Sequence, residues 1–127
     1  MIGFVVKWTI KKGYEQKALT GLKELAKKVE ESEKGTLVYL VHTPDPIQFD
    51  CSDVQYQSLP TPSTQEIVFI EQYVDEDAFC QHVTGKAFTT FLQEYGECFL
   101  SSNGGPYVEI DFLTRQAGFI RKEAVTD

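Results

Sequence analysis

The 127 residues, 42% hydrophobic and 13% aromatic, suffice for one domain that buries roughly two thirds of its unfolded surface and leave no room for a second. A formal net charge of −7 makes the average surface repel phosphate backbones and anionic lipid, so nucleic acid is not an expected partner. No stretch approaches the ~20 apolar residues of a membrane span, and Met1 to Trp8 lacks the marks of a leader, so a cytoplasmic protein with no membrane partner is expected.

Along residues 2–10, Ile2, Phe4, Val6, Trp8 and Ile10 alternate with Val5, Lys7 and Thr9, the period-two pattern of a strand with one strongly apolar face. Lys12 and Gly13 supply a turn. Over residues 14–32, Ala18, Leu19, Leu22, Leu25, Ala26 and Val29 recur at three- and four-residue intervals, which predicts an amphipathic helix. The basic cluster Lys7, Lys11, Lys12 and Lys17 and the acidic run Glu30, Glu31 and Glu33 that balances it read as solvated surface.

Gly35 ends the helix, and residues 36–43 read as a second strand in which Leu37, Tyr39 and Val41 face one way and Val38, Leu40 and His42 the other. A third strand, residues 66–74, sets Ile67, Phe69, Glu71 and Tyr73 against Val68, Ile70, Gln72 and Val74. Both strands are largely apolar on two faces and must be covered twice. Between them, residues 44–65 carry Pro44, Pro46, Pro60 and Pro62 among Asp, Ser, Gln and Thr. A connection this long is either a lid, with Phe49, Tyr56 and Leu59 as apolar anchors, or a disordered segment.

Residues 75–95 are predicted to be helical in two pieces, with Asp75 capping the first and Thr84, just before Gly85, the second. Phe88, Phe91, Leu92 and Tyr95 fall at helical spacing in the second piece. After the turn signal Asn103-Gly104-Gly105-Pro106, Val108, Ile110 and Phe112 alternate with Glu109 and Asp111 as a fourth strand. Residues 115–127 remain as an extension or partner-contacting arm.

Residues 1–127 therefore form one α+β domain ordered strand, helix, strand, strand, helix, strand: the ferredoxin-like split βαβ plan with a four-stranded antiparallel sheet. Two helices cover one face of such a sheet. Its other apolar face needs a second copy of the chain, and a homodimer is expected.

Three stretches carry a family likeness: the strand ending in Lys12-Gly13 before an amphipathic helix, then Lys34-Gly35-Thr36-Leu37-Val38-Tyr39, then Glu71-Gln72-Tyr73 followed by Asp75-Glu76-Asp77-Ala78-Phe79, His82, Phe88 and Phe91. Over roughly residues 2–95 they resemble the antibiotic biosynthesis monooxygenase family of dimeric α/β-barrel proteins. The resemblance implies the fold and the dimer. It also implies a choice of chemistries, since the family includes cofactor-free oxygenases of quinols and related aromatics, an isomerase and haem-degrading enzymes. Residues 44–65 and the tail past Arg115 are longer than the family pattern. Haem-degrading relatives place an Asn on the first strand, then a Trp and a haem-ligating His in the second helical region. The corresponding positions hold Val6, His82 and Leu92, so haem breakdown by that route is not expected.

His82 is the leading catalytic candidate, because it matches the His of many family members and imidazole exchanges protons near neutrality. The alternative is a core histidine satisfied by Glu71 or a backbone carbonyl. Glu71, among Ile67, Phe69 and Tyr73, needs a hydrogen-bonded partner; it either orients His82 in catalysis or bridges helix, sheet or dimer. Tyr39, Tyr73, Trp8 and Phe79 are the candidate substrate-binding side chains, each with core packing as its alternative. Cys51, Cys80 and Cys98 are odd in number and widely spaced, which fits reduced thiols. No metal and no cofactor are expected. The leading expectation is a cofactor-independent monooxygenase taking a small aromatic or quinol-type molecule and O₂. The alternatives are a non-catalytic dimeric module that binds a small hydrophobic molecule, and an isomerase of a small oxygenated metabolite.

Overall fold

Period-two alternation becomes strand and three-four periodicity becomes helix in a computed structural model of the chain, which describes residues 1–45, 49–51, 54–56, 63–102 and 105–121. The elements are β1 (Ile2–Thr9), α1 (Glu15–Ser32), β2 (Thr36–His42), β3 (Phe49–Cys51), β4 (Val54–Tyr56), β5 (Glu66–Tyr73), α2 (Glu76–Thr84), α3 (Lys86–Tyr95), β6 (Ser101–Ser102), β7 (Gly105–Pro106) and β8 (Val108–Leu113), with a 3₁₀ turn at Gly96–Cys98. Four strands form one antiparallel sheet in the order β2-β5-β1-β8. That is the ferredoxin-like α+β fold expected. β3 and β4 pair as a small antiparallel ribbon; the expected lid or disorder at 44–65 lies in part outside the described residues, as do Leu59 and the tail beyond Arg121.

Register fixes what faces the helices. Phe4 sits between Glu71 and Phe112, Val6 between Phe69 and Ile110, and Trp8 between Ile67 and Val108. Cross-strand partners share a face, so these rows, with Tyr39 and Val41 of β2, make the inner layer. α1 lays Ala18, Leu22, Leu25 and Val29 on it, all buried. Gly13, at φ +92°, adopts the left-handed conformation the turn into α1 needs. Gly21 is where α3 comes closest: a Cβ there would lie 2.5 Å from the Tyr95 ring.

Two local expectations need correction. Leu37 does not alternate inward with Tyr39 and Val41, because the β2–β5 register slips between Thr36 and Val38. The bulge leaves Leu37 half exposed, at the rim of a cleft beside α1. Thr84 does not cap α3: its hydroxyl donates back to the Cys80 carbonyl at 2.7 Å, and the N-cap is Gly85, with no side-chain cap. Asp75 does cap α2, accepting from the Ala78 N–H at 2.8 Å. The expected fourth strand is β8; its Val108, Ile110 and Phe112 lie on the inner side but stay exposed, Phe112 at 61%, because β8 packs against no helix to the extent β2 does.

Behind the sheet, among the described residues, no helix packs over the rows through Val38, Leu40, Val68 and Ile70. Leu40 and Ile70, opposite one another across β2 and β5, are each 37% exposed. Among the described residues no helix is long and apolar enough to cross a membrane.

Candidate functional site

α2 begins at Asp75 and turns Ala78 and His82, four residues apart, onto the sheet. His82 is only 3% exposed. Its Nδ1 lies 2.8 Å from Glu33 Oε1, while its Nε2 faces Glu71 Oε1 across 4.0 Å, too far for a hydrogen bond. The carboxylate hydrogen-bonded to the ring is thus Glu33 and not Glu71, whose need for a partner is met by Tyr73. Glu33 is the C-cap of α1, its N–H donating to the Val29 carbonyl, and its Oε1 also accepts from the Thr36 hydroxyl at 3.1 Å.

Glu71 occupies the inner face at mid-β5, and its Oε1 accepts from the Tyr73 hydroxyl at 2.5 Å. Rings close the remaining sides of His82: Tyr39 and Phe88 at 5.2 Å between centroids and Tyr73 at 5.5 Å. The structure therefore brings His82, Glu71, Tyr39 and Tyr73 together. It sets Trp8 and Phe79 one ring away. Trp8 packs on Phe69, Phe88, Phe91 and Phe99, and Phe79 on Phe4, Tyr73 and Phe112.

The space between helices and sheet is filled. Trp8, Phe69, Glu71, Tyr73 and His82 have almost no accessible surface, and a water-sized cavity between them would have given them some. Two open clefts lie nearby. One of about 390 Å³, at the β2 edge of α1, is lined by Ala26, Val29, Thr36, Leu37 and Tyr39 among others. Tyr39 thus stands between this cleft and His82. A larger one, about 640 Å³, lies where β1, β5 and the end of β8 meet, and Gly3, Phe4, Ile70, Glu71, Leu113 and Arg115 contribute to it.

Burial sets the protonation states. It lowers the His82 imidazole below its ordinary value, opposed by the charge and hydrogen bond of Glu33, so the ring is neutral at pH 7. Burial pushes the Glu71 carboxyl up to about 7, against the Tyr73 hydroxyl, which pulls it down. Burial, then the neighbouring carboxylates, raise the phenols of Tyr39 and Tyr73. At neutral pH the cluster holds a neutral base beside a carboxyl that is about half protonated, an arrangement able to take up and return a proton.

Glu33 is the member that sequence reasoning missed. Placed in an acidic run at a helix end, it carries no mark of burial. The available signal was its position two residues before Gly35, where the chain must fold back over α2: a Cβ on Gly35 would lie 2.6 Å from that of Ala78.

Residues 1–94 match the family model described as antibiotic biosynthesis monooxygenase. Solved structures share the fold. A Pseudomonas aeruginosa protein is 22% identical over 91% of this chain and 94% of its own, with a TM-score of 0.64. A putative antibiotic biosynthesis monooxygenase from Caulobacter crescentus is 20% identical over 90% of each chain, also at 0.64. A putative monooxygenase from Lactobacillus acidophilus is 18% identical over 91% of this chain but 45% of its own, at 0.67. No curated protein matches. With three quarters of its length matched by the family model, and a helix-covered antiparallel sheet to go with it, the chain belongs to the antibiotic biosynthesis monooxygenase family.

Proposed function

We propose that the protein is a homodimeric, cofactor-independent monooxygenase that oxidises a small aromatic or quinol-type substrate with O₂. The observation that carries this reading is a neutral, buried imidazole held on one nitrogen by a carboxylate, its other nitrogen turned toward a carboxyl that titrates near neutrality, inside a shell of aromatic rings. His82 Nε2 accepts the proton of the substrate hydroxyl or activated CH. The resulting anion is the reductant of O₂. One oxygen atom bonds to the substrate carbon, and the other leaves as water, protonated from His82 and Glu71. For a CH₂ centre the balance is AH₂ + O₂ → A=O + H₂O. Apolar rings suit a flat substrate and dissolved oxygen and keep bulk water from the reactive intermediates.

Entry requires a ring to move. Tyr39 is the candidate, since it lines the 390 Å³ cleft and also touches His82. Tyr73, Phe79 and Trp8 would then form the walls. The exposed apolar rows of β2 and β5 supply the reason for a second copy: among the described residues no helix lies over Leu40 and Ile70.

A second reading is a non-catalytic dimer that binds a small hydrophobic molecule, for which the aromatic shell suffices without proton transfer. Oxygen uptake separates the two. The purified protein, treated with chelator, is incubated with quinols and anthrones in an oxygen electrode, with product followed by mass spectrometry under ¹⁸O₂. Label in the product, lost in His82→Ala, supports the oxygenase. Binding without oxygen uptake supports the binding module, and substrate loss without uptake an isomerase.

A further inference from the structure

We infer that Glu33 is the positioning residue of the site, locking His82 in the tautomer with hydrogen on Nδ1 and so leaving the Nε2 lone pair directed at Glu71. The inference rests on His82 being the base. Its ground is geometric. A neutral imidazole carries one N–H, and which nitrogen bears it follows from the acceptor each one meets. Nδ1 meets Glu33 Oε1 at 2.8 Å, a distance at which an N–H gains a charge-assisted hydrogen bond. An N–H on Nε2 would point at a carboxyl 4.0 Å away and gain none.

The two carboxyl groups are also held differently. Glu33 stands at the end of α1, its Oε1 fixed by the Thr36 hydroxyl, with its side chain 14% exposed. Glu71 is committed to the Tyr73 hydroxyl inside the sheet. One can therefore orient the ring without taking part in proton exchange, while the other faces the free nitrogen. The groups that face His82 from the elements packed around it are Glu33 from the end of α1, Tyr39 from β2, Glu71 and Tyr73 from β5, and the uncharged Phe88 from α3. Glu33 is the carboxyl within hydrogen-bond distance of its ring.

The chain has two histidines, so ring nitrogen NMR of the full-length ¹⁵N-labelled protein, with His42→Gln to assign the other signal, reads the tautomer directly and needs no substrate. Wild type is expected to show a protonated Nδ1 and a bare Nε2. Glu33→Ala should abolish that preference, and Glu33→Gln, whose carbonyl still accepts, should keep it. Where turnover is measurable, Glu33→Ala should lower kcat by about 10–100-fold, the usual cost of losing an orienting partner. Glu33→Gln should retain more of kcat and shift the acid limb of the pH profile to lower pH, since it removes the charge that favours the imidazolium. If Glu33→Ala does not fold, Thr36→Val tests the same device by freeing the carboxylate, and should partly mix the tautomers. A wild-type ring protonated on Nε2, or a Glu33→Ala ring unchanged from wild type, overturns the inference. Absence of turnover in wild type overturns the oxygenase reading and leaves the tautomer result standing.

Discussion

Replacing Glu71 by Gln should make the protein increasingly more stable than wild type as pH rises. In the unfolded chain the carboxyl titrates at its ordinary 4.5, and in the folded protein burial raises it to about 7. The folded state thus binds the proton more tightly. The stability this contributes is complete below the unfolded value and is lost as pH climbs through the folded one. At about 1.4 kcal/mol per pK unit, the gap corresponds to about 3 kcal/mol between pH 4 and pH 8. Gln is nearly isosteric, keeps an oxygen to accept from the Tyr73 hydroxyl, and does not ionise. His82 works in the opposite sense: with its folded value lowered, its contribution is complete above pH 6.5 and falls away as pH drops below it. Below pH 6.5 Glu71 is mostly protonated and as uncharged as Gln, so the two proteins share most of that limb. Urea unfolding of wild type and E71Q at pH 4 to 8 should give a stability difference that grows with pH by about 3 kcal/mol. A difference that stays flat would mean that Glu71 is not raised, and the proton-exchange role assigned to it would fall.

Gly21→Ala should destabilise by about 1–3 kcal/mol in urea titration despite alanine's better helix propensity, because the new methyl meets the Tyr95 ring, itself stacked on Phe91 and bonded to Glu24. Asp75→Ala, which removes the cap of the helix that carries His82, should cost about 1 kcal/mol by the same assay. Leu40→Lys with Ile70→Lys should convert a dimer to a monomer in sedimentation velocity with an unchanged circular dichroism spectrum; a wild-type chain that sediments as a monomer at micromolar concentration would refute the second-copy argument.

The strands of the sheet were legible because Phe4, Val6 and Trp8, or Ile67, Phe69 and Tyr73, alternate without interruption, and period two has no other structural solution. His82 shares the buried side of α2 with Ala78, four residues before it, as helical spacing requires. What escaped the sequence was everything that depends on one extra or one missing residue. The slip at Leu37 is invisible to alternation, since a bulge changes parity without changing composition. Glu33 looked like its acidic neighbours because burial at a helix end depends on where the next strand turns. Phe99, which bridges to Ile10 at the end of the first strand's alternation and is fully enclosed, belongs to a segment of no clear periodicity. Trp8 and Phe79, candidate substrate-binding side chains, each stand one ring from His82, behind Phe88 and Tyr73.

Trp8 is the chain's one tryptophan, and it is wedged against four phenylalanines, one of which, Phe88, also rests on His82. The molecule therefore carries a native optical probe at its centre. Any guest that settles beside the imidazole has to push Phe88 or its neighbours, and the indole's emission must change colour or intensity in response. A plain fluorescence titration can thus survey candidate compounds by the hundred before any product is sought.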